Sequence, residues 1–362
     1  MPAYFNLTAH AWRQLRSSWD LPRTASLEAQ TYLFGGLRSL TAAFQTCIAG
    51  TRRASAPKVG AIVILGFWRS GTSLLHDLLC TDDQFGYPTT YACLNPHHFV
   101  LTQSRALARA GGQLQRPQDR MIVGPQTPQE DEFALLCLGA RSPYEGLLAP
   151  RNFAEAFALA DPNDLSTEDM RRWRRVFDQF FRGVSLVSGG KPLVLKSPTH
   201  SYRVATLREL LPDARFILIV RNPYEVFESM VRTYRALTDK YGLGPNLSDD
   251  EVRHVLMSER RRFEAKLSSG VAGLPKQRFV TLKYEHLVQN PLSAIEALYG
   301  QLELSGFEHM RPKLAAEVAK RRDYVQAAIR PSAEWKARIT EQWGDIFDRY
   351  GYRREVSLNE TP

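Results

Sequence analysis

Four short apolar runs, each followed by a turn and then a helical pattern, organise most of the chain. They cover residues 59–65, 192–196, 215–220 and 278–284, so none exceeds seven residues. Short apolar runs bounded by turn signals are typical of buried strands. Strands that alternate with helices predict right-handed crossovers and a parallel sheet covered on both faces. We therefore expect an α/β fold.

Helix-start signals follow these runs. Ser197-Pro198 suits an N-cap and a first helical position, and the helix that it opens should run through Leu210 and stop before Pro212. In Asn222-Pro-Tyr-Glu225, the asparagine should cap the next helix while the glutamate caps back. A helix over residues 73–79 should follow the first strand and its turn, and another helix should begin near Pro291.

Two regions depart from this alternation. Residues 1–55 have helical spacing, with Leu33, Leu37, Leu40 and Phe44 recurring every three or four positions, and we interpret them as an N-terminal helical segment. Residues 56–362 form the main domain. Within it, residues 81–190 mix Pro, Gly and His clusters with helical pieces. We interpret that stretch as a large, mostly helical insertion over one end of the sheet, on the substrate side.

Composition and charge narrow the classes of protein. The 362 residues are 44% hydrophobic and 23% charged, an ordinary globular composition with a net charge of +9. The positive excess favours an anionic ligand or surface, but no nucleic-acid recognition motif accompanies the arginine runs. The four cysteines have no metal-ligand spacing, and we find neither a membrane span nor a signal pattern. We expect a soluble cytoplasmic protein without a metal.

The most informative motif is the loop Gly66-Phe-Trp-Arg-Ser-Gly-Thr-Ser73, which follows a strand and opens a helix. Backbone N–H groups in that context form an anion site. The spacing matches GxxxxGK[ST], but Thr72 stands where a nucleoside triphosphatase has its lysine. Two further strands end in Lys196 and Arg221, which would repel Mg²⁺ and attract phosphate. The sequence therefore predicts a P-loop-type phosphate site that works without Mg²⁺.

These residues together resemble the sulfotransferases that use 3′-phosphoadenosine-5′-phosphosulfate (PAPS). The loop, with its Trp-Arg-Ser-Gly-Thr core, is similar to the family's 5′-phosphosulfate loop, and Arg221 with Ser229 eight residues later resembles its 3′-phosphate motif. The resemblance extends over residues 56–350 to a bacterial branch, through Pro88-Thr-Thr-Tyr, Pro96-His-His-Phe, Pro128-Gln-Glu-Asp-Glu-Phe and Leu195-Lys-Ser-Pro. It implies a P-loop-type parallel sheet and PAPS as donor, with 3′,5′-adenosine bisphosphate (PAP) as product.

The resemblance also implies a role for each matched residue. The 5′-phosphosulfate would be held by Arg69, Ser70, Gly71, Thr72 and Ser73. Lys196 would stabilise the leaving phosphate oxygen, Arg221 and Ser229 would hold the 3′-phosphate, and Tyr284 would pack against the adenine. As alternatives, Ser229 is an ordinary helix serine and Tyr284 a core aromatic residue.

The general base is not at either position that the resemblance suggests. Pro198 occupies the place of the cytosolic branch's histidine, and Thr89-Thr-Tyr91 the place of the tyrosylprotein branch's glutamate. The insertion must then supply the base. The leading candidates are Glu130 and Glu132 of the cluster Glu130-Asp131-Glu132, with His97 and His98 in reserve and His200 as an outsider. As an alternative, Thr127 and Glu130 form a capping box, and the carboxylate then only caps a helix.

The composition of the insertion indicates the class of acceptor. Its large apolar residues and few acids favour a small apolar acceptor with a hydroxyl, such as a lipid, a secondary metabolite or a phenol, although the same residues can also form its own core. The residues of this possible pocket are Phe85, Tyr87, Tyr91, Phe99, Phe133, Leu135, Leu136 and Tyr144. The N-terminal helices could contact a membrane surface or a second copy in a homodimer. A P-loop kinase or NTPase and a non-catalytic nucleotide-binding module remain as alternative functions.

Overall fold

The computed structural model describes residues 6–109, 114–115, 122–321 and 330–355. Helices dominate it and surround a small sheet. In chain order the elements are α1 (Ala9–Ser18), α2 (Ala25–Ala54), β1 (Ala61–Leu65), α3 (Thr72–Leu79), α4 (Thr90–Leu94), α5 (Phe99–Arg109), β2 (Leu114–Gln115), β3 (Ile122–Val123), α6 (Asp131–Cys137), α7 (Glu145–Leu148), α8 (Phe153–Phe157), α9 (Thr167–Val187), β4 (Leu193–Lys196), α10 (Val204–Leu210), β5 (Arg215–Val220), α11 (Pro223–Tyr241), α12 (Asp249–Val271), β6 (Phe279–Lys283), α13 (Tyr284–Gln289), α14 (Pro291–Gln301), α15 (Phe307–Lys320) and α16 (Ala333–Tyr350).

The four predicted strands form one parallel sheet in the order β4-β1-β5-β6, which confirms the α/β prediction. Ile64 pairs with Lys196 across β1 and β4, and Leu218 of β5 lies beside Leu65 on the other side of β1. All carboxyl ends therefore point the same way. Because the order places β1 between β4 and β5, the loop after β1 lies between the strand ends that carry Lys196 and Arg221.

The strands β1, β4 and β5 are buried on both faces because successive side chains alternate between two cores, whereas the edge strand β6 exposes Thr281 and Lys283. On one face Val63, Leu65 and Leu218 join the larger core. On the other face Ile62 and Ile64 pack among α3, α14 and α15. This burial explains why the strands appear in the sequence as continuous apolar runs rather than as alternating ones.

Two predicted helix starts differ in detail from the structure. Asn222 does cap α11, since its side chain accepts a hydrogen bond from the Tyr224 amide, but Glu225 binds the Arg221 guanidinium instead of capping back. Pro198–Tyr202 form a 3₁₀ turn, and the α-helix begins only at Val204. The Ser197 hydroxyl makes no cap because it donates to Asp131 at 2.6 Å. At Ser197 a tertiary partner replaces the local cap, whereas at Glu225 the partner is Arg221, four residues earlier in the chain.

The N-terminal helices pack against the insertion. Trp12 of α1 is fully buried in a small core with Cys137 and Leu148. The buried residues of α2 are Thr31, Gly35, Gln45 and Ala49, and none is a large hydrocarbon side chain. Among the described residues, no helix combines the length and the apolar character that crossing a membrane requires.

Candidate active site

The loop between β1 and α3 is held in a conformation that needs its glycines. Gly71, the N-cap of α3, has φ +101°, and a Cβ on it would overlap the Tyr284 ring. A Cβ on Gly66 would lie 2.6 Å from Ser70 Oγ and 2.8 Å from the Ile219 carbonyl oxygen. The Gly66 amide also donates to Ser201 Oγ at 2.9 Å. The loop is therefore clamped between β5 and the turn after β4.

Arg69 and Arg221 meet beside this loop. Arg69 has φ +70°, and its Nε donates to Ser229 Oγ at 3.1 Å. Arg221 lies 4.4 Å above the centre of the Tyr284 ring, and its Nη1 donates to the Arg69 carbonyl oxygen at 3.4 Å. Glu225 holds the other side of the Arg221 guanidinium. Two arginines, a serine and an aromatic ring thus lie together beside the loop, although 152 residues separate Arg69 and Arg221.

The cradle fits an anion. Ser70 Oγ is buried and has no hydrogen-bond partner among the described residues. A buried hydroxyl without a partner costs free energy, so a ligand oxygen at that place would satisfy it. Thr72 and Ser73 begin α3, where the N–H groups at the helix start add a positive potential. Phosphate or sulfate oxygens match this set of donors.

Lys196 is the cation at the end of β4, and Glu130 is its partner. The Lys196 side chain is 2% exposed; its Nζ donates to Glu130 Oε1 at 2.7 Å and to Ser73 Oγ at 3.3 Å. The Tyr144 hydroxyl donates to Glu130 Oε2, and Trp68 Nε1 donates to that hydroxyl at 3.3 Å. Burial and the Glu130 charge raise the pKa of Tyr144. This chain of contacts joins the loop, the insertion and β4 at one point.

Glu130 does not form the capping box that Thr127 suggested. It is the N-cap residue of α6, but its side chain makes no cap hydrogen bond. The Thr127 hydroxyl instead donates to the Gly124 carbonyl oxygen at 2.8 Å. The carboxylate instead contacts the buried Lys196 and Tyr144, close to the loop after β1.

The other two acids of the cluster have separate partners. Glu132 is fully buried and accepts hydrogen bonds from Arg203 and Thr199, so it forms an internal ion pair instead of a contact with Lys196. Asp131 accepts from Ser197 and lies 2.9 Å from His200 Nε2. Burial by itself raises the pKa of Asp131, but attraction to His200 and hydrogen bonds from His200 and Ser197 lower that pKa to about 2. Both carboxylates anchor α6 to the turn after β4.

The reserve histidines lie elsewhere. His98 Nδ1 is 2.9 Å from the Thr102 hydroxyl, and the His98 ring packs against Tyr91. His97 is fully buried, and burial followed by the charge of Arg38 lowers its pKa to about 3. Burial, followed by Arg38, also lowers the pKa of His98. The structure thus brings Glu130, and neither Glu132 nor His98, into contact with Lys196.

Sequence reasoning missed the partners of these groups. The sequence indicates Tyr144 only as a pocket aromatic, yet it binds Glu130; nothing in it singles out Ser201, yet that residue supports Gly66. Neither residue belongs to a local motif, so no sequence signal marks its role. Across the described ranges, no group of three or more His, Cys, Asp or Glu side chains has the arrangement of a metal site.

Comparisons with known proteins bear on this site. Residues 61–309 match the sulfotransferase family. The chain is 36% identical over 299 residues to an omega-hydroxy-beta-dihydromenaquinone-9 sulfotransferase from Mycobacterium tuberculosis, which covers 82% of this chain and 76% of that protein. It is also similar in fold to the sulfotransferase STF9 from Mycobacterium avium, with 17% identity, a TM-score of 0.67, and coverage of 88% of this chain and 83% of that one. The fold is also similar to that of the sulfotransferase STF1 from Mycobacterium tuberculosis, with 16% identity, a TM-score of 0.67, and coverage of 92% of this chain and 90% of that one.

Proposed function

The chain belongs to the sulfotransferase family, and we propose that it transfers a sulfuryl group from PAPS to the hydroxyl of an apolar, lipid-like acceptor. The observation that carries the proposal is the contact of Lys196 with Glu130 beside an anion cradle. A cation for the leaving oxygen and a carboxylate for the attacking hydroxyl are the two groups that such a transfer needs.

The residues around the loop suit the donor. Ser70, Thr72, Ser73 and the amides after Gly71 would bind the 5′-phosphosulfate, and the orphaned Ser70 hydroxyl supports this assignment. Arg221 and Ser229, joined through Arg69, would bind the 3′-phosphate. Arginine suits that task because its planar guanidinium offers several donors to one phosphate. Tyr284, which covers Gly71 and contacts Arg221, would stack on the adenine.

The transfer requires this chain to accept one proton and to stabilise one developing negative charge. When bound, PAPS supplies the sulfuryl group. Glu130 would accept the proton that the acceptor hydroxyl loses as its oxygen bonds to sulfur, and Lys196 would stabilise the charge on the phosphate oxygen that departs as its bond to sulfur breaks. In the structure Lys196 Nζ donates hydrogen bonds to both Glu130 and Ser73, so the lysine connects the proposed base to the proposed phosphate loop. Tyr144 and Trp68 hold the carboxylate in place.

Aromatic side chains around Glu130 support an apolar acceptor. Phe133 packs against Tyr144 with ring centres 5.2 Å apart, and Trp68 packs against Phe157 at 5.4 Å. Other candidates from the sequence, such as Phe99 and Leu135, lie instead in the core of the domain. The mycobacterial relative is named for a hydroxylated menaquinone, an isoprenoid lipid. We therefore propose a hydroxylated lipid as acceptor class.

Calorimetric titration tests the donor assignment. PAP is titrated into the full chain, and ATP with Mg²⁺ is titrated into a second sample. We expect micromolar or tighter binding of PAP without Mg²⁺ and at least tenfold weaker binding of ATP, because ATP lacks the 3′-phosphate that Arg221 and Ser229 would bind. Mg²⁺-dependent ATP binding in the absence of PAP binding would contradict the proposal and favour a kinase or NTPase. PAP binding without turnover of any lipid alcohol would favour the non-catalytic module.

A further inference from the structure

The helix α2 turns its large apolar side chains away from the protein. Leu33, Leu40 and Phe44 are 71%, 70% and 61% exposed. Together with Leu37 and Ile48 they follow each other at intervals of four, three, four and four residues, which places all five on one side of a helix. Tyr32 lies at the edge of this stripe and is 46% exposed. We call these six residues the outer stripe.

The opposite side of α2, which faces the protein, has a residue composition that is unusual for a core-facing helix surface. Its buried residues are small or polar, with Gly35 close to the backbone of Ala9 and Gln45 only 3% exposed, and Leu27 packs partly buried at its N-terminal end. An ordinary surface helix buries its large apolar residues and exposes its polar ones. Within the described part of the chain, the outer stripe supplies six of the seven large apolar side chains that are exposed. An apolar surface concentrated in this way marks an interaction site.

The charges near the stripe favour one occupant. Arg52, near the C-terminal end of α2, is exposed, and the one acid of the helix, Glu28, already pairs with Arg16. Arg23 and Lys58 flank the two ends of the helix and are exposed. The whole chain has a net charge of +9. A second copy would bring the same positive charge to this surface, whereas a bilayer with anionic headgroups would neutralise it while its acyl chains receive the stripe.

The position of α2 relative to the site gives such docking a use. Gln45 Nε2 donates to the Pro96 carbonyl oxygen at 3.1 Å, and Gln45 Oε1 accepts from the Val100 amide at 2.9 Å. These bonds fix α2 to the connection between α4 and α5. On the other side of α4, the Gln129 amide donates to the Pro88 carbonyl oxygen at 2.9 Å, one residue before Glu130. The N-terminal helix that carries the outer stripe and the segment that carries the proposed base are therefore both hydrogen-bonded to the region around α4.

We infer that the outer stripe docks this protein on the surface of an anionic lipid membrane, from which the acceptor is taken. The inference rests on the proposed function for the purpose of the docking, but not for the docking itself. At about 1.5 Å per residue, the 30-residue helix is about 45 Å long. It can lie along the headgroup boundary with its apolar side chains directed into the acyl region.

Flotation with vesicles tests the inference on the full chain. Vesicles of phosphatidylcholine alone are compared with vesicles of phosphatidylcholine and phosphatidylglycerol at three to one. We expect binding to the anionic vesicles that weakens at high salt, and a loss of about tenfold or more in the combined variant Leu37→Gln, Leu40→Gln, Phe44→Gln. Because these side chains are exposed, the variant should keep its melting temperature and its PAP affinity.

Matched controls separate the stripe from general effects. Val288→Gln removes an exposed apolar side chain on α13 and should leave flotation unchanged, whereas Phe44→Gln should weaken it severalfold. For charge, Arg52→Gln on α2 is compared with Arg171→Gln on α9, both exposed. Only Arg52→Gln should reduce binding to the anionic vesicles.

Three results would overturn the inference. They are a chain that does not float with either vesicle, a combined variant that floats as well as the parent, and a parent that elutes as a dimer without floating while the variant elutes as a monomer. The last result would identify the stripe as an interface between copies. PAP binding, measured in parallel, keeps the two proposals apart: PAP binding without flotation contradicts the docking alone, and flotation without PAP binding contradicts the proposed donor alone.

Discussion

Replacing Glu130 by glutamine separates the role of this carboxylate in chemistry from any role in binding the donor. The glutamine side chain would keep the shape of the original and could still accept a hydrogen bond from Lys196, but it cannot take a proton from an acceptor hydroxyl. Removal of a general base costs about 10²- to 10⁴-fold in rate. At about 1.4 kcal/mol per tenfold, the loss in kcat should correspond to an activation barrier about 3–6 kcal/mol higher.

The structure predicts the opposite sign for donor binding. Glu130 Oε1 lies 2.7 Å from Lys196 Nζ, which in turn lies 3.3 Å from Ser73 at the anion cradle. Loss of the carboxylate removes a negative charge next to the place where PAP would bind and releases the lysine from its partner. PAP affinity should therefore stay the same or rise, by about tenfold at most. A fall in kcat with unchanged or tighter PAP binding is the expected pattern.

The assay uses the full chain, PAPS and two acceptors with the same isoprenoid chain, one a primary alcohol and the other a phenol. The phenol has the more acidic hydroxyl, so it depends less on a base, and the Glu130→Gln variant should lose less activity with it than with the alcohol. Tyr144→Phe is the matched control, because it removes the other partner of Glu130 while the carboxylate stays beside Lys196. The control should lose about tenfold or less in kcat.

Two outcomes would refute this reasoning. If Glu130→Gln retains kcat within a few-fold of the parent, the carboxylate is not the base. If the variant loses equal activity with the alcohol and with the phenol, and PAP affinity falls in parallel, Glu130 acts by holding the site together and does not accept the proton.

Three further predictions concern the cradle and its support. Arg221→Gln should weaken PAP binding by about tenfold to hundredfold but change binding of 5′-AMP little, since only PAP has a 3′-phosphate; equal losses in titrations of both nucleotides would remove that assignment. Gly71→Ala should cost about 1–3 kcal/mol of unfolding free energy and most PAP affinity, because of φ +101° and the Tyr284 ring, whereas Gly60→Ala, where a Cβ meets open space, should be neutral in both measurements. Asp131→Asn should lower the unfolding free energy at pH 7 by about 2 kcal/mol, because the pKa of Asp131 is about 2 in the folded protein and lies below its value in the unfolded chain. In denaturant titrations this difference between parent and variant should disappear as the pH falls from 4 to 2. A difference that persists at pH 2 would contradict the ionic explanation.

The sheet and the cradle could be predicted because local sequence determines them. A buried parallel strand is a short apolar run, and the residue at its carboxyl end lies next to its neighbours in the sheet, so Lys196 and Arg221 had to approach the loop after β1. The loop itself needs glycine where φ is positive, and Gly71 has that conformation. Each strand and the loop depend on a few residues close together in the chain, whereas the strand order that places β1 between β4 and β5 depends on residues far apart.

The partners of the acidic cluster could not be predicted, because they depend on how the insertion packs. Glu130 and Lys196 are 66 residues apart, and Glu132 and Arg203 are 71 apart. Local rules instead suggested a capping box at Glu130 and an N-cap at Ser197, and tertiary partners override both. The helical spacing in α2 was likewise a correct sign of a helix, but spacing alone does not tell which side faces the protein.

The most direct test of the account is transfer itself. PAPS labelled on sulfur is incubated with the chain and a hydroxylated isoprenoid quinone, and the lipid is extracted and analysed by mass spectrometry. The account predicts one sulfuryl group on the lipid hydroxyl, formed without Mg²⁺, with one PAP released per product, and a loss of about a hundredfold or more in the Lys196→Ala variant. Label that appears only as free sulfate, or transfer that Lys196→Ala leaves intact, would contradict it.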